Sequence, residues 1–342
     1  MTQVTTRPNP DAAGVQRVAW LRSPLSFGGA PIGNLYESVD EDEAAAAIAR
    51  AWQRGIQHFD TAPYYGYGLS ESRLGNALSG LARNSYTLST KVGRVIETDH
   101  RQTNHGDGFI VDGRRAHFDY SRDGILRSVE ASLSRLRTDR IDVLLLHDIG
   151  VETHAANHAA VLRQALDEAL PAMAELRAQG VCDAIGIGVN EEAVCLEVMP
   201  RFSLDVIMLA GRYTLFEQDH SESVMAQAQA RGVGILAAGP YNSGLLSGTE
   251  APGSFYNYAP ASDAILERAR RFYEVLGKSH TEVGAAALQF PLAHPAVLSV
   301  VCGLRSTAEV DSAAARMQAS IPVGAWHALR EAGLVRNGIP TP

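Results

Sequence analysis

Eight short aliphatic runs alternate with eight longer amphipathic patterns along this chain, and this alternation constrains its fold more than any other feature. The predicted strands are 25–29, 58–62, 86–92, 141–148, 184–189, 205–210, 234–239 and 297–303. The predicted helices are 42–54, 71–78, 122–136, 165–179, 191–199, 221–231, 263–277 and 307–319. Strands that alternate with helices form parallel sheets. Eight such units in 342 residues predict an α/β fold, one closed (β/α)8 TIM barrel.

A doubly wound sheet is the other common arrangement of alternating strands and helices. It would normally carry a glycine-rich phosphate turn after its first strand. Residues 66–68 and 186–188 each read G-x-G without a third glycine, and the first of them follows the second predicted strand. The sequence therefore favours the barrel. We predict one barrel domain over 17–342, preceded by a flexible segment over 1–16.

Charge and apolar patterning exclude several classes of function. The chain has 30 Lys and Arg against 38 Asp and Glu, a formal net charge of -8, and no long basic block. Such a chain has no general attraction for nucleic-acid phosphates or anionic lipid. It opens without a signal-peptide pattern, and no run approaches the roughly 18 apolar residues of a membrane span. We expect a cytoplasmic monomer or homodimer with a small-molecule substrate and no nucleic-acid or membrane partner.

No metal site is predicted. The three cysteines at 182, 195 and 302 are widely spaced and form no C-x-x-C pair, which argues against a disulfide framework or a structural zinc site. His154 and His158 have the i, i+4 spacing of a helical metal pair, but the Glu of H-E-x-x-H is missing. We expect both histidines in a solvated loop or at a helix start.

Polar residues lie at the carboxyl ends of three predicted strands, where a barrel builds its active site. They are Asp60, Lys91 and His147, and Tyr65 follows in the loop after Asp60. A free tyrosine titrates near pKa ~10, and a neighbouring ammonium lowers that value. Lys91 would act on Tyr65 in this way, Asp60 would fix Lys91, and His147 would donate to the substrate oxygen.

Each of these four residues also has a structural interpretation on its own: an ion pair, a core histidine and a surface tyrosine. Their coincidence at neighbouring strand ends favours catalysis. The set suits proton transfer at an alcohol or carbonyl oxygen, coupled to hydride transfer with a bound nicotinamide. Two long connections, 93–121 and 240–262, also follow strand ends, and we expect them to form lids or substrate walls. A mobile loop over 98–115 with no part in substrate binding would have the same composition as a lid, and this alternative stays open.

The string F-D-T-A-x-x-Y-G-x-G-x-S-E at 59–71 resembles the signature of the aldo-keto reductase superfamily. The similarity extends from about residue 21 to 319. It implies Tyr65 as the catalytic acid/base, with Asp60, Lys91 and His147 completing a tetrad. It also implies the same eight-stranded barrel and an extended nicotinamide dinucleotide bound without a Rossmann domain.

Two further segments resemble cofactor-binding parts of that family. Residues 237–248, AAGPYNSGLLSG, are similar to its pyrophosphate loop, and 302–306, CGLRS, to its adenosine-side segment. The implied cofactor contacts are Gly29, Asn190, Gly239, Pro240, Tyr241, Ser243, Leu245, Gly303, Arg305 and Glu309. NADP-preferring members often carry cations where Gly303 and Glu309 align. The Glu309 carboxylate would repel a 2′-phosphate, so NAD is favoured, although Arg305 leaves NADP possible.

Residues 207–215, IMLAGRYTL, and 118–121, FDYS, resemble bacterial NAD-dependent aldose 1-dehydrogenases of the L-fucose or D-threo-aldose type. They also resemble pyridoxal 4-dehydrogenases. The implied reaction is oxidation of the anomeric hydroxyl of a free aldose to a lactone. The alternatives are oxidation of a pyridoxal hemiacetal to 4-pyridoxolactone, NADPH-dependent reduction of aldehydes or ketones, and a cofactor-sensing binding module.

Overall fold

The computed structural model describes Val18, Leu21 and residues 23–101 and 107–342. The predicted flexible segment 1–16 lies outside these described residues. The strands are β1 (Leu25–Gly28), β2 (His58–Asp60), β3 (Thr87–Val92), β4 (Arg94–Thr98), β5 (Arg114–Phe118), β6 (Ile141–His147), β7 (Cys182–Val189), β8 (Val206–Ala210), β9 (Gly234–Ala238), β10 (Phe255–Tyr256), β11 (Ala259–Pro260) and β12 (Val297–Gly303).

Eight of these strands close into a barrel in the order β1-β12-β9-β8-β7-β6-β3-β2. Every neighbouring pair is parallel, including the β1–β2 pair that closes the ring. Because all eight strands run the same way, their carboxyl ends meet at one mouth. The predicted α/β fold, a (β/α)8 barrel, is confirmed.

Helices follow the barrel strands along the chain, as the alternation in the sequence predicts. They are α1 (Glu41–Gln53), α2 (Leu69–Leu78), α3 (Arg122–Leu136), α4 (Val151–His154), α5 (His158–Gln164), α6 (Leu170–Ala178), α7 (Glu192–Val198), α8 (Glu222–Arg231), α9 (Asp263–Gly277), α10 (Val283–Gln289), α11 (Thr307–Gln318) and α12 (Val323–Glu331). Serine hydroxyls accept a backbone N–H at the start of α3, α9 and α11. None of the helices in the described residues is long and apolar enough to cross a bilayer.

Strand periodicity decides which side chains enter the barrel. In β6, Val143 and Leu145 belong to the inner core, whereas Leu144 and Leu146 pack outward against the helices. His147 continues the inward set because side chains alternate along a strand. Val18 and Leu21 join the inner core beside the amino ends of the strands. A buried polar cluster of Ser26, His58, Ser89 and Ser299 lies between these apolar side chains and the mouth.

The two long connections each contain a two-stranded antiparallel hairpin, which the sequence did not predict. β4 pairs with β5 from Arg94 opposite Phe118 to Thr98 opposite Arg114. β10 pairs with β11 across Asn257 and Tyr258, whose φ values of 46° and 62° suit a tight hairpin turn. Both hairpins follow carboxyl ends of barrel strands and therefore belong to the mouth.

Candidate active site

Asp60 and Lys91 form a buried ion pair between the neighbouring strands β2 and β3. The Lys91 Nζ donates to Asp60 Oδ2 at 2.8 Å and to the Thr61 carbonyl at 2.9 Å. Asp60 Oδ1 accepts the Ser89 hydroxyl at 2.7 Å. Burial lowers the pKa of Lys91, but the charges of Asp60 and Tyr65 outweigh it and raise that pKa above its ordinary value. Lys91 is therefore held as an ammonium.

Tyr65 lies over this ammonium, with Lys91 Nζ 4.5 Å from the centre of its ring. A tight loop places it there. Gly66 has a φ of 62°, and a Cβ at that position would lie 2.3 Å from the Gly33 carbonyl oxygen. Only glycine fits so close to another backbone. The loop after β2 is thereby held against the loop after β1.

Lys91 lowers the pKa of Tyr65, as the sequence predicts, but the net pKa still lies above its ordinary value. Burial raises the pKa of Tyr65, and the Lys91 ammonium only opposes that effect. Desolvation disfavours the phenolate more strongly than one nearby cation favours it. Tyr65 is thus a protonated phenol at neutral pH, the form that donates a proton.

His147, the last residue of β6, is the fourth residue of the cluster formed with Asp60, Lys91 and Tyr65. Its ring meets the Tyr65 ring edge-on, with 6.1 Å between ring centres, and it is 6% exposed. Burial, reinforced by the charges of Arg94 and Lys91, lowers its pKa well below the ordinary value. The imidazole is therefore neutral at pH 7 and carries one N–H. The structure brings the four predicted tetrad residues together from three adjacent strands, β2, β3 and β6, and from the loop after β2.

The first long connection adds a wall beside this cluster that the sequence did not resolve. Asp107 accepts hydrogen bonds from the Tyr64 hydroxyl, at 2.8 Å, and from the Tyr67 hydroxyl. Phe109 stacks on Tyr65 with 6.1 Å between ring centres. A cavity of about 290 Å³ opens between these tyrosines and Arg94. In the sequence, the length of this connection and its place after a strand end predict such a wall, whereas its composition does not.

A larger cavity, of about 510 Å³, lies far from the tetrad. Its lining comes from the ends of α2 and α3 and the segments that lead into β3 and β6, such as Leu78, Tyr86 and Asp139. These segments surround the amino ends of the strands. This cavity therefore lies at the end of the barrel opposite the tetrad.

The predicted cofactor residues lie on the other half of the mouth, at or after the carboxyl ends of β1, β12, β9 and β7. Gly239 begins the loop after β9 with a φ of 63°, and a Cβ there would meet no atom closer than 3.6 Å. Pro240, Tyr241, Ser243 and Leu245 follow in the same loop. Gly303 ends β12, and α11 begins four residues later. In TIM barrels the loops after the seventh and eighth strands often bind phosphate, and a helix amino end favours an anion.

Not every predicted cofactor residue has a side chain or backbone group free for a ligand. Gly29 donates its N–H to the Asp60 carbonyl, and its own carbonyl accepts the Ser70 hydroxyl. Leu245 is fully buried, and the Ser243 hydroxyl accepts the N–H of Tyr258 at 3.0 Å. These residues shape the mouth. Asn190 follows β7 and is half-buried.

Arg305 and Glu309 contact each other, and Glu37 joins them from the loop after β1. Glu309 accepts the Arg305 N–H at 2.9 Å, and its carboxylate lies 3.3 Å from the Arg305 guanidinium. Glu37 forms an ion pair with the same guanidinium. The sequence did not single out Glu37, because only the three-dimensional arrangement brings residue 37 to residue 305. The three side chains carry one positive and two negative charges.

Comparison with known proteins agrees with this geometry. A family model described as Aldo/keto reductase family matches residues 24–332. The chain belongs to the aldo/keto reductase family. It is 38% identical over 344 residues to D-threo-aldose 1-dehydrogenase of a Pseudomonas species, with 99% of each chain covered. It is 36% identical to pyridoxal 4-dehydrogenase of Microbacterium luteolum, over 91% of this chain and 94% of that protein.

Among solved structures, the holo form of an aldo-keto reductase from Bacillus halodurans matches with a TM-score of 0.70 at 27% identity. The match covers 93% of this chain and 94% of that one. The resemblance inferred from the 59–71 string is thus confirmed. This aldo/keto reductase is an oxidoreductase that uses a nicotinamide cofactor. Gly239, with no atom within 3.6 Å of a Cβ built on it, leaves room beside the loop after β9 for the phosphates of such a cofactor.

Proposed function

We propose that this aldo/keto reductase is an NAD-dependent dehydrogenase that oxidises the anomeric hydroxyl of a free aldose, of the L-fucose or D-threo-aldose type, to a lactone. The observation that carries the chemistry is Tyr65 held over the Lys91 ammonium beside a neutral His147. The relative named D-threo-aldose 1-dehydrogenase, similar over nearly the whole chain, supports the aldose. Polar groups of Asp107 and Arg94 beside the tetrad suit the several hydroxyls of a sugar.

The roles follow from the contacts of each side chain. Tyr65 exchanges a proton with the reacting oxygen, and Lys91 stabilises the phenolate that forms when the phenol gives up its proton. Asp60 keeps Lys91 charged and fixed by its 2.8 Å contact. His147, edge-on to the Tyr65 ring, donates a hydrogen bond to the substrate oxygen. A bound nicotinamide supplies the hydride acceptor.

NAD is the proposed cofactor because Arg305 is already paired. Glu37 and Glu309 both contact its guanidinium, so this corner of the mouth has a net charge of -1. A 2′-phosphate would have to displace a carboxylate and approach the remaining one. A ribose hydroxyl would instead find carboxylate acceptors.

Glu309→Arg should improve the use of NADP relative to NAD by about tenfold, equivalent to roughly 1.4 kcal/mol. The substitution changes the net charge of the corner from -1 to +1, which attracts a 2′-phosphate. Steady-state kcat/KM with each cofactor measures the ratio. Glu309→Gln is the matched control, because it removes the charge but keeps an acceptor for the Arg305 N–H. An unchanged ratio in Glu309→Arg would place the adenosine ribose elsewhere.

Replacing residues 100–112 with a short Gly/Ser turn should impair substrate recognition while leaving the barrel folded. The cut keeps the hydrogen bond between the Asp99 N–H and the Gly113 carbonyl, which ends the β4–β5 hairpin. It removes Asp107 and Phe109 from the wall beside Tyr65. Loops tolerate changes in length, so stability should change little. We expect a raised KM for the best aldose and weaker discrimination between epimers, with NAD affinity nearly unchanged.

Kinetics on two epimeric sugars, before and after the replacement, measure this effect. Unchanged kcat/KM for both sugars would remove the loop from the substrate site. A variant in which Asp107 alone becomes Asn is the control, since it keeps the loop but weakens the acceptor of the two tyrosine hydroxyls. We expect this variant to show a smaller rise in KM and a smaller loss of discrimination between epimers than the loop replacement.

A panel of aldoses, pyridoxal and simple alcohols, each with NAD and with NADP, tests the proposed function. Formation of reduced nicotinamide is followed for every pair. Highest kcat/KM for an aldose with NAD supports the proposal. Highest kcat/KM for pyridoxal would favour 4-pyridoxolactone formation, a choice supported by the relative named pyridoxal 4-dehydrogenase. Turnover confined to aldehyde or ketone reduction with NADPH would overturn both.

A further inference from the structure

A chain of hydrogen bonds runs from Asp60 down into the interior of the barrel. Asp60 Oδ1 accepts the Ser89 hydroxyl at 2.7 Å, and the Ser89 oxygen lies 3.0 Å from His58 Nε2. On the other side of the ring, His58 Nδ1 lies 2.8 Å from the Ser26 oxygen, which in turn lies 2.5 Å from the Ser299 oxygen. The chain therefore links four neighbouring strands, β3, β2, β1 and β12.

The register of β2 and β3 places this chain directly below the tetrad. Asp60 lies opposite Ser89, and His58 lies two residues before Asp60, so the side chains of His58 and Asp60 both point into the barrel. Lys91, two residues after Ser89, donates to the other oxygen of the same carboxylate. His58 thus lies one layer beneath the Asp60–Lys91 ion pair.

The interior layers of such barrels are usually filled by branched apolar side chains. Here Ser26, Ser89 and Ser299 are fully buried, and His58 is 2% exposed. Replacing both partners of a buried hydrogen bond by apolar groups of the same shape can be nearly neutral for stability. Packing alone therefore does not require this polar cluster. What distinguishes it from an apolar layer is its contact with Asp60.

The capacity of each group to donate or accept fixes where the protons lie near Asp60. Burial, reinforced by the charge of Lys91, lowers the pKa of His58 to about 3, so its ring is neutral and has one N–H. Asp60, as the partner of the Lys91 ammonium, is a carboxylate and only accepts hydrogen bonds. The single hydroxyl proton of Ser89 therefore lies toward Asp60. The Ser89 oxygen can then only accept from His58, which places the ring proton on Nε2.

The far end of the chain follows from the same rule. With the proton on Nε2, the Nδ1 of His58 is an acceptor and takes the hydroxyl proton of Ser26. The Ser26 oxygen then accepts from Ser299, so every donor in the chain points toward Asp60. If Asp60 carried a proton and donated it to Ser89, each bond would reverse and the ring proton would lie on Nδ1. The tautomer of His58 therefore reports the direction of the whole chain.

We propose that His58 is a positioning residue for the tetrad, and that its Nε2–H holds the Ser89 hydroxyl in the orientation that donates to Asp60. A hydroxyl proton rotates to suit its partners, so without this contact the Ser89 proton loses its fixed direction. Asp60 then loses one of the two side-chain donors that hold its carboxylate, and Lys91 beneath the Tyr65 ring moves with it. This inference rests on the proposed roles of Tyr65 and Lys91, and not on the aldose or on NAD.

Nitrogen-15 NMR of histidine-labelled enzyme tests the direction of the chain without any substrate. The spectrum distinguishes a protonated ring nitrogen from an unprotonated one, and His58→Gln identifies the His58 signals among those of the 11 histidines. We expect one tautomer at pH 7, with the proton on Nε2. A proton on Nδ1, or a mixture of both tautomers, overturns the proposal even if the substrate panel supports the aldose.

Activity gives the second measurement. His58→Leu should lower kcat for the best substrate of the panel by about tenfold or more, with the Kd for NAD unchanged, because small displacements of reacting groups cost rate. His58→Gln should regain most of this loss, since its amide N–H can replace Nε2–H as the donor to Ser89. A His58→Leu variant with kcat within about twofold of the parent, or a His58→Gln variant as impaired as His58→Leu, overturns the positioning role.

Two further variants separate positioning from a general need for polar groups in the interior. Ser299→Ala removes the far end of the chain and keeps the contacts from His58 to Asp60, so its loss of kcat should stay within about threefold. An equal loss in Ser299→Ala and His58→Leu overturns the proposal. If His58 acts through Ser89, then His58→Leu should cost little further activity in a Ser89→Ala background. Losses that multiply in the double variant show independent effects and also overturn it. Near-ultraviolet circular dichroism confirms that each variant is folded.

Discussion

Tyr65→Phe should lower kcat by about 100-fold or more, with NAD affinity nearly unchanged. The substitution removes only the hydroxyl that exchanges a proton with the reacting oxygen, and lost general acid/base catalysis has this scale. The ring itself remains to stack on Phe109 and to cover Lys91. Steady-state kinetics with the best substrate, together with cofactor titration by fluorescence quenching, measures the two effects separately.

Tyr213→Phe is the matched control for the loss of a tyrosine hydroxyl. Tyr213 is 3% exposed, lies after β8 and packs against Phe290, and its hydroxyl has no hydrogen-bond partner among the described residues. Its removal should leave kcat within twofold of the parent. Activity of Tyr65→Phe within a few-fold of the parent would reject the proton-transfer role.

The pH dependence of the parent provides a further check on Tyr65. Burial raises the pKa of its phenol, and oxidation of an alcohol needs the ionised form to accept the hydroxyl proton. The ionised fraction below the pKa grows tenfold for each unit of pH. kcat/KM for oxidation should therefore rise with pH through the neutral range, and this rise should be absent in Tyr65→Phe.

The barrel and the tetrad follow from local patterns that the sequence records directly. Alternate side chains of a strand point to the same face, and this rule directs Asp60, Lys91 and His147 into the barrel. Because the strands are parallel, their carboxyl ends meet at one mouth. Each inference needs only the residues of one strand and a general rule of barrel geometry. The strand ends could therefore be predicted before any contact was known.

Other parts of the molecule depend on contacts between distant residues. Arg94 and Asp148 pair because β4 turns back over the mouth, and Glu37 reaches Arg305 from another loop. No periodic pattern in the sequence indicates that either pair of residues lies close together. Helix α10 was missed for a different reason: six of its seven residues are buried, so it has no polar face to produce a helical period. The net pKa of Tyr65 could not be predicted from the sequence, because neighbouring charges do not show how deeply its hydroxyl is buried.

Lys91→Met should both abolish most activity and destabilise the fold. Asp60 and Lys91 are each 2% exposed, so the substitution leaves a carboxylate buried without its counter-charge. Breaking a buried pair in this way costs about 3–5 kcal/mol of the free energy of unfolding. Urea unfolding at pH 7 measures the loss. We also expect kcat to fall by about 100-fold or more, because the phenolate of Tyr65 loses its stabilising cation.

Unfolding at lower pH and a second substitution separate the loss of stability from the loss of activity. Without Lys91, burial acts on Asp60 with less opposition, so the pKa of its folded-state carboxyl rises further above the unfolded value. The folded state then binds a proton more tightly, and the deficit in stability should shrink as the pH is lowered toward that pKa.

Asp60→Asn combined with Lys91→Met removes the buried charge but keeps an acceptor for the Ser89 hydroxyl. The double variant should regain most of the lost stability at pH 7 and remain inactive. If it is as unstable as Lys91→Met alone, the uncompensated carboxylate is not the cause of the loss. If it regains activity, Lys91 serves the fold and not the chemistry of Tyr65.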